Sequence, residues 1–146
     1  MCSSAGYAAF QYCSSLTSVN LPVCSNTGNN VFAECSSLTS VDLPACRSAG
    51  YAAFQGCRSL ISVNLPACSS IGTYAFNRCT SLTSLTLGYS SVVKLAGINA
   101  FNSSPMSIST LTGTFGSIYV PASLVDAYKS ATNWTTYADR ITAIVE

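Results

Sequence analysis

The chain has 146 residues, which is room for one domain, and its six basic and five acidic side chains leave a formal net charge of +1. Only 8% of the residues are charged and 49% are hydrophobic, which argues against disorder and against the basic stripe that nucleic-acid binding needs. No apolar run approaches the roughly 20 residues of a membrane span, so no membrane insertion is expected.

A repeat of 22 residues is the main feature of the sequence. Each unit carries Gly, then Phe four residues on, then Cys three residues later, followed by Leu, Val or Leu, and Leu. A unit this short cannot bury its own apolar face, so successive units are expected to stack and share a core. Two cysteine series mark the four units: Cys2, Cys24, Cys46 and Cys68, and Cys13, Cys35, Cys57 and Cys79.

One unit predicts one coil, and its elements follow in chain order. Gly6 suits a turn or a close approach of two backbones. In residues 7–13, the phenylalanine and the cysteine lie three apart, which predicts one turn of tight helix that packs both inward. Residues 16–21 alternate at their end and predict a short strand that Pro22 terminates. Equivalent strands are expected to pair in parallel, about 4.8 Å apart.

Stacked coils place identical side chains in columns. The phenylalanines are therefore expected to form a buried aromatic spine: Phe10, Phe32, Phe54 and Phe76.

For the cysteines three interpretations stay open. Buried reduced thiols are favoured. A disulfide within a column would need distortion, because equivalent Cβ atoms of neighbouring coils lie about 4.8 Å apart and disulfides prefer roughly 3.8 Å. A reactive thiol would need a neighbouring base, and none is near in the sequence.

The repeat pattern G-x-x-A-F-x-x-C-x-S-L-x-S-V-x-L-P resembles the BspA-like bacterial leucine-rich repeats. The stretch that begins at Ile71-Gly72 and contains Tyr74-Ala75-Phe76 matches it most closely. The resemblance implies an α/β repeat fold: a short right-handed leucine-rich-repeat solenoid with a parallel β-sheet on the concave face and a C-terminal α/β cap. It also implies surface proteins of bacteria, many of them adhesins or interaction modules.

The repeat register breaks after residue 87, which predicts two regions. Residues 2–96 would hold four coils and an irregular connection, and residues 97–146 a degenerate fifth coil and the cap. Within the cap, Ser117–Pro121 mimics the strand-and-proline ending of a coil, residues 122–131 have helical spacing, and residues 141–145 suggest a last strand. The first coil has no such cover, so we expect either further coils upstream in a longer protein or self-association through the N-terminal coil.

Outward strand positions supply the candidate partner-binding residues on the concave face. They form two rows: Ser18, Ser40, Ser62 and Ser84, and Asn20, Asp42, Asn64 and Thr86. In the four units this face is polar and free of aromatic side chains. It is therefore expected either to bind a partner weakly at many points or to be a solvated surface. Tyrosines on the other side of the coils offer a second candidate surface: Tyr7, Tyr12, Tyr51 and Tyr74.

The usual catalytic and metal-binding patterns are missing, so no enzyme, cofactor or metal site is expected. There is no histidine, no Cys-x-x-Cys, no phosphate loop and no paired carboxylates. The predicted function is a non-enzymatic protein- or glycan-binding module of a bacterial cell-surface or secreted protein. The alternative is a structural spacer without a ligand. The first four residues lack an export signal, so an extracellular location would require a leader elsewhere in the parent.

Overall fold

The computed structural model describes residues 3–107 and 115–145. In this part of the chain two parallel sheets are present, and each 22-residue unit contributes one strand to each. No helix among the described residues is long and apolar enough to cross a membrane. In chain order the strands β1 to β11 are Ser4–Ala5, Ser18–Asn20, Asn26–Thr27, Ser40–Asp42, Ser48–Ala49, Ser62–Asn64, Ser70–Ile71, Ser84–Thr86, Lys94–Leu95, Ser117–Val120 and Ile141–Ala143.

The six-stranded sheet contains the strands that the repeat predicts, in the order β11-β10-β8-β6-β4-β2. Its register joins equivalent residues of successive coils, as in the pairing of Val19 with Val41 and of Val41 with Val63. These middle residues are buried, whereas their flanking neighbours point outward. A slip of one residue would turn every valine into solvent, so the hydrophobic pattern fixes the register.

The five-stranded sheet, in the order β1-β3-β5-β7-β9, is absent from the sequence prediction. Each of its strands has two residues, of which the first points outward and the second is buried, as in Ser48 and Ala49. The glycine of each coil follows directly, and the backbone N–H groups of Gly28 and Gly72 continue the ladder by donating to the carbonyls of Ala5 and Ala49, at 2.7 and 2.8 Å. A coil is therefore held to its neighbour along two separate edges.

The predicted helical turn at residues 7–13 is wrong. Ala8 and Tyr12 have φ values of 51° and 62°, which a right-handed helix does not allow. Their N–H groups donate to the next coil instead, to the carbonyls of Asn29 and Ala33, at 2.9 and 2.8 Å. The segment is a run of tight turns that forms a third ladder of hydrogen bonds between coils.

The phenylalanine column is present as predicted and continues into the irregular fifth coil. Successive rings are stacked with centroids 5.3–5.5 Å apart and planes within 11° of parallel. Phe101 extends the stack by one ring beyond Phe76. The interior rings are buried, but Phe10 in the first coil is 40% exposed. The first coil is thus the open end of the core.

The glycine column allows the coils to approach each other closely. A Cβ on Gly50 would lie 2.7 Å from the carbonyl oxygen of Gly28, and one on Gly72 would lie 2.6 Å from the carbonyl carbon of Gly50. None of these glycines has a positive φ. Of the two roles that the sequence suggests for this position, close approach is therefore the correct one.

A cap covers the last coil. After β10 come a short 3₁₀-helix (Ala122–Leu124), helix α1 (Val125–Ser130), a second 3₁₀-helix (Thr135–Arg140) and β11. Trp134 and Tyr137 pack on the ring of Phe101, at centroid distances of 6.2 and 5.0 Å. The indole N–H of Trp134 donates to the carbonyl of Val93 at 2.6 Å. The buried polar atoms of the cap aromatics are thereby satisfied by the backbone they cover.

Candidate binding surface

The eight predicted binding residues lie on the outward face of the six-stranded sheet. The register places the four serines side by side in one row, and Asn20, Asp42, Asn64 and Thr86 side by side in the next. All eight side chains are exposed or half-buried. Because neighbouring parallel strands are about 4.8 Å apart, each row is a line of closely spaced polar groups.

Hydrogen bonding differs between the two rows. The amide of Asn64 donates to the carboxylate of Asp42 at 2.9 Å, so these two side chains hold each other along the row. Among the residues that the structure describes, the hydroxyls of Ser18, Ser40 and Ser62 have no protein partner, so they are available to water or a ligand. The face therefore offers both fixed and adaptable polar contacts.

The last two strands add residues that the sequence reasoning missed. Strand β10 pairs with β8, so Tyr119 continues the row beside Thr86, and Thr142 of β11 follows it. The outward positions of the four repeat strands carry no aromatic side chain, and Tyr119 on the added strand supplies one to the sheet as a whole. The signal was present in the sequence, since Ser117–Pro121 copies the strand pattern of a coil and puts Tyr119 in the position of Asn20.

An aromatic and cationic pair lies at the same end of the sheet. The guanidinium of Arg140 is 4.2 Å from the ring centroid of Phe115, a cation–π contact, and Phe115 remains 48% exposed. Arg140 directly precedes β11, and Phe115 lies two residues before β10. With Tyr119 they form what we call the aromatic end of the face: Phe115, Tyr119 and Arg140.

The cysteines do not take part in this surface. The seven described cysteines are all free, and Cys2 lies outside the described residues. Thiols of both columns donate hydrogen bonds to backbone carbonyls: Cys57 to that of Phe32 at 3.1 Å, and Cys46 to that of Ser48 at 3.2 Å. Burial, with a smaller contribution from neighbouring thiols of the column, raises the pKa of Cys46 to about 11 and that of Cys57 to about 12.

These thiols are therefore protonated at neutral pH and are poor nucleophiles and metal ligands. No group of potential metal ligands occurs among the described residues. The raised pKa values agree with the interpretation of the cysteines as small apolar core residues.

The tyrosines of the second candidate surface lie along the turn segments. Tyr7 and Tyr12 in the first coil are 76% and 69% exposed, and Tyr51 is 48% exposed. Tyr51 packs edge-on against Tyr74, with ring centroids 5.8 Å apart. Only these last two are in contact with each other, so the four tyrosines do not form one patch.

Stacked coils with a parallel strand in each and an aromatic spine define a leucine-rich-repeat solenoid, and the predicted short solenoid with a C-terminal cap is confirmed. The chain belongs to the BspA-type leucine-rich repeat family, whose model matches residues 3–122 as six copies. No curated protein matches the chain.

Two solved structures are similar. A leucine-rich cell surface protein from Faecalibacterium prausnitzii A2-165 has a TM-score of 0.66 and 19% identity, over 93% of this chain and 32% of that protein. A leucine-rich repeat protein from Bacteroides ovatus ATCC 8483 has a TM-score of 0.55 and 26% identity, over 80% of this chain and 34% of that protein. The chain thus spans about a third of the length of each.

Proposed function

We propose that this chain is a non-enzymatic binding module of a bacterial cell-surface or secreted protein and serves an adhesion-type interaction. Its partner is a protein or a glycan, which docks on the outward face of the six-stranded sheet. The observation that carries the proposal is that the Asn20 row continues past Thr86 to the half-buried Tyr119, at the end of the sheet that also holds Arg140 and the exposed ring of Phe115. Tyr and Arg are the side chains that most often dominate binding energy.

The rows and the aromatic end have different tasks in this proposal. The serine hydroxyls and the Asn20 row supply many weak contacts that repeat every coil, and their sum grows with contact length. Tyr119 supplies a ring that can be covered by a partner at little entropic cost, because it has only two side-chain torsions. Specific attachment therefore depends on the end of the sheet, and avidity on its length.

Binding to arrays of host-matrix proteins and glycans tests this proposal. The wild-type chain is compared with Tyr119→Ala and with the triple variant Asn20→Arg, Asp42→Arg and Asn64→Arg. Ser36→Arg is the control, because Ser36 is exposed and lies on neither sheet. We expect both six-stranded-sheet variants to lose binding while they still unfold cooperatively, and the control to bind like wild type. Equal loss in the control, or no loss in either variant, would place the partner elsewhere.

The second candidate function is a structural spacer that displays another domain. The hydrogen bond between Asn64 and Asp42 favours it, since such contacts stiffen the sheet by using up polar groups internally. Wild-type chain that binds no protein or glycan on the arrays, yet unfolds cooperatively, would support the spacer over the binding module.

A further inference from the structure

A groove on a different face, beside the five-stranded sheet, shares no residue with the outward face of the six-stranded sheet. It is open, has a volume of about 290 Å³, and runs across the ends of β5, β7 and β9. This volume is near the lower end of known small-molecule sites, which corresponds to one unit of a polymeric ligand at a time.

The floor of the groove is formed by glycine backbone. Gly50 and Gly72 lie side by side there, and the column cannot accept side chains because a Cβ on Gly72 would lie 2.6 Å from Gly50. Their N–H groups already donate within the protein, Gly72 to the carbonyl of Ala49 and Gly50 to the hydroxyl of Thr27. The floor is thus flat and offers surface for van der Waals contact and no vacant amide for an anion.

An aromatic wall stands beside this floor. Tyr51 lines the groove, is 48% exposed, and is held edge-on by Tyr74 with an interplanar angle of 82°. Aromatic rings with an exposed side bind apolar C–H surfaces of ligands while the phenol stays in water.

Polar groups line the other side in one row. The register pairs Ser48 with Ser70 and Ser70 with Lys94, so the lysine stands one strand beyond two hydroxyls. The hydroxyl of Ser70 donates to that of Ser48 at 3.1 Å. Lys94 is exposed, and none of the acidic residues that the structure describes lines the groove or pairs with it. The groove is therefore positive, with one cation at one end.

We propose that this groove binds an acidic sugar, namely a hexuronic acid unit of a bacterial or host polysaccharide. Lys94 holds the carboxylate, the hydroxyls of Ser48 and Ser70 bond the sugar hydroxyls, and Tyr51 packs on the C–H face of the ring. A free phosphate or sulfate uses neither the aromatic wall nor the flat floor, so the arrangement favours a ligand that carries both a single negative charge and an apolar face. The open ends of the groove let a longer chain continue past it.

Calorimetric titration of the intact chain with a tetramer of galacturonic acid tests the inference. The comparison ligands are its methyl ester, which lacks the charges, and sodium phosphate, which lacks the sugar. We expect binding of the free acid that weakens as salt rises, and no measurable binding of the ester or of phosphate at the same concentration. Absence of binding by the free acid, or equal binding of the ester, would overturn the proposal.

Two substitutions in the groove test whether the sugar binds there. Tyr51→Ala and Lys94→Gln are expected to weaken binding by about tenfold each. Tyr7→Ala and Lys129→Gln are the matched controls: Tyr7 is the equivalent tyrosine two coils away, Lys129 is an exposed lysine of α1, and neither lines the groove. Weakening by the controls as strong as that by the groove variants would refute the site.

The result is separable from the proposed function. Tyr119→Ala lies on the other sheet and is expected to leave galacturonate binding unchanged. Loss of galacturonate binding in this variant would count against the groove. If the chain binds no galacturonate at all, the groove proposal fails, and the array measurement still decides on the six-stranded face.

Discussion

At the scale of single residues, the effect of a substitution depends on the coil that carries it. An interior side chain meets its equivalents on both sides, whereas the same position in the first coil has a neighbour on one side only. The glycine column illustrates this, because a Cβ on Gly6 would meet nothing within 4 Å and one on Gly50 would meet backbone at 2.7 Å.

The substitution Gly50→Ala is therefore expected to destabilise the chain strongly. Backbone atoms cannot rotate away from the new methyl group, so the loss should reach or exceed the roughly 1–3 kcal/mol that is typical of overpacking. Gly6→Ala is the control and should leave the free energy of unfolding in urea nearly unchanged. Equal losses in the two variants would contradict the close-approach interpretation.

Several turn positions hold non-glycine residues in the left-handed backbone conformation. Arg78 is exposed and has a φ of 60°, and Gly56 occupies the same position one coil earlier with a φ of 73°. Left-handed backbone costs a non-glycine residue about 1–2 kcal/mol, so Arg78→Gly is expected to raise the free energy of unfolding by about 1 kcal/mol.

Arg58 is the comparison for this variant, because it is exposed on the same turn region but lacks a positive φ. Arg58→Gly relieves no strain and adds freedom to the unfolded chain, so it should lower the melting temperature. A rise in both variants would show that loss of the arginine charge, and not backbone strain, is responsible.

Sequence reasoning predicted residues that repeat and missed those that occur once. The phenylalanine spine and the outward rows followed from identical spacing in four units. Tyr119 is as well placed on the same face, but its strand is separated from β8 by more than one coil length. Only pairing of β10 with β8 in three dimensions brings it beside Thr86.

At the scale of elements, the cysteine columns make stability depend on alkaline pH. In the unfolded chain a thiol ionises near its ordinary pKa of 9.0, but in the fold burial raises the pKa of Cys46 to about 11 and that of Cys57 to about 12. The unfolded state thus releases protons first as pH rises.

These thiols are expected to leave the free energy of unfolding unchanged below about pH 9. Above that pH, each thiol is expected to lower it by about 1.4 kcal/mol per pH unit, until the pH reaches the pKa of that thiol in the folded state. Urea unfolding between pH 8 and pH 11 measures this slope. The double variant Cys46→Ala and Cys57→Ala should unfold more easily at every pH but with a shallower slope. An unchanged slope would mean that other groups cause the alkaline loss.

The cap provides a prediction of a different kind. Trp134 is fully buried, packs on Phe101 and Tyr128, and donates to Val93. Trp134→Ala is expected to cost about 3–5 kcal/mol. Phe115→Ala in the same region removes an aromatic ring that is 48% exposed and should cost far less. Similar losses in thermal unfolding would show that the cap does not close the core.

The elements that the sequence could not predict are those without local periodicity. A two-residue strand such as Ser4–Ala5 is too short to alternate, so the five-stranded sheet is visible only once the coils stack. The turn at residues 7–13 has helical spacing of its apolar residues, but its N–H groups find partners in the next coil. Long-range hydrogen bonding decided its conformation.

At the scale of the whole molecule, the two ends of the core differ. The last coil is covered by the buried aromatics of the cap, whereas the first exposes Tyr7, Phe10, Tyr12 and Val23 by 76, 40, 69 and 44%. Its strands β1 and β2 are also the edges of their sheets. Unpaired edges beside exposed apolar side chains are the usual setting for association between chains.

In a longer parent protein further coils upstream would cover this end; for the chain by itself, we propose that two copies associate through their first coils. Sedimentation velocity should show a dimer that forms with rising concentration. The double variant Tyr12→Lys and Val23→Lys should remain monomeric, because it places charge at that end. Ile61→Lys, at a residue 51% exposed on another surface, should dimerise like wild type. A monomer at all concentrations would refute the association.

The glycine and phenylalanine columns also bear on how such a gene changes. Because every coil presents the same contacts to the one before and the one after, a DNA duplication or deletion of one full repeat keeps all columns in line. An insertion of one codon within a repeat would place a side chain opposite a glycine of the neighbouring coil and would turn a phenylalanine toward solvent. Addition or removal of one whole repeat is thus the change of length that this architecture is expected to tolerate best, whereas single-residue insertions are expected to be tolerated better in the irregular connection than within a coil.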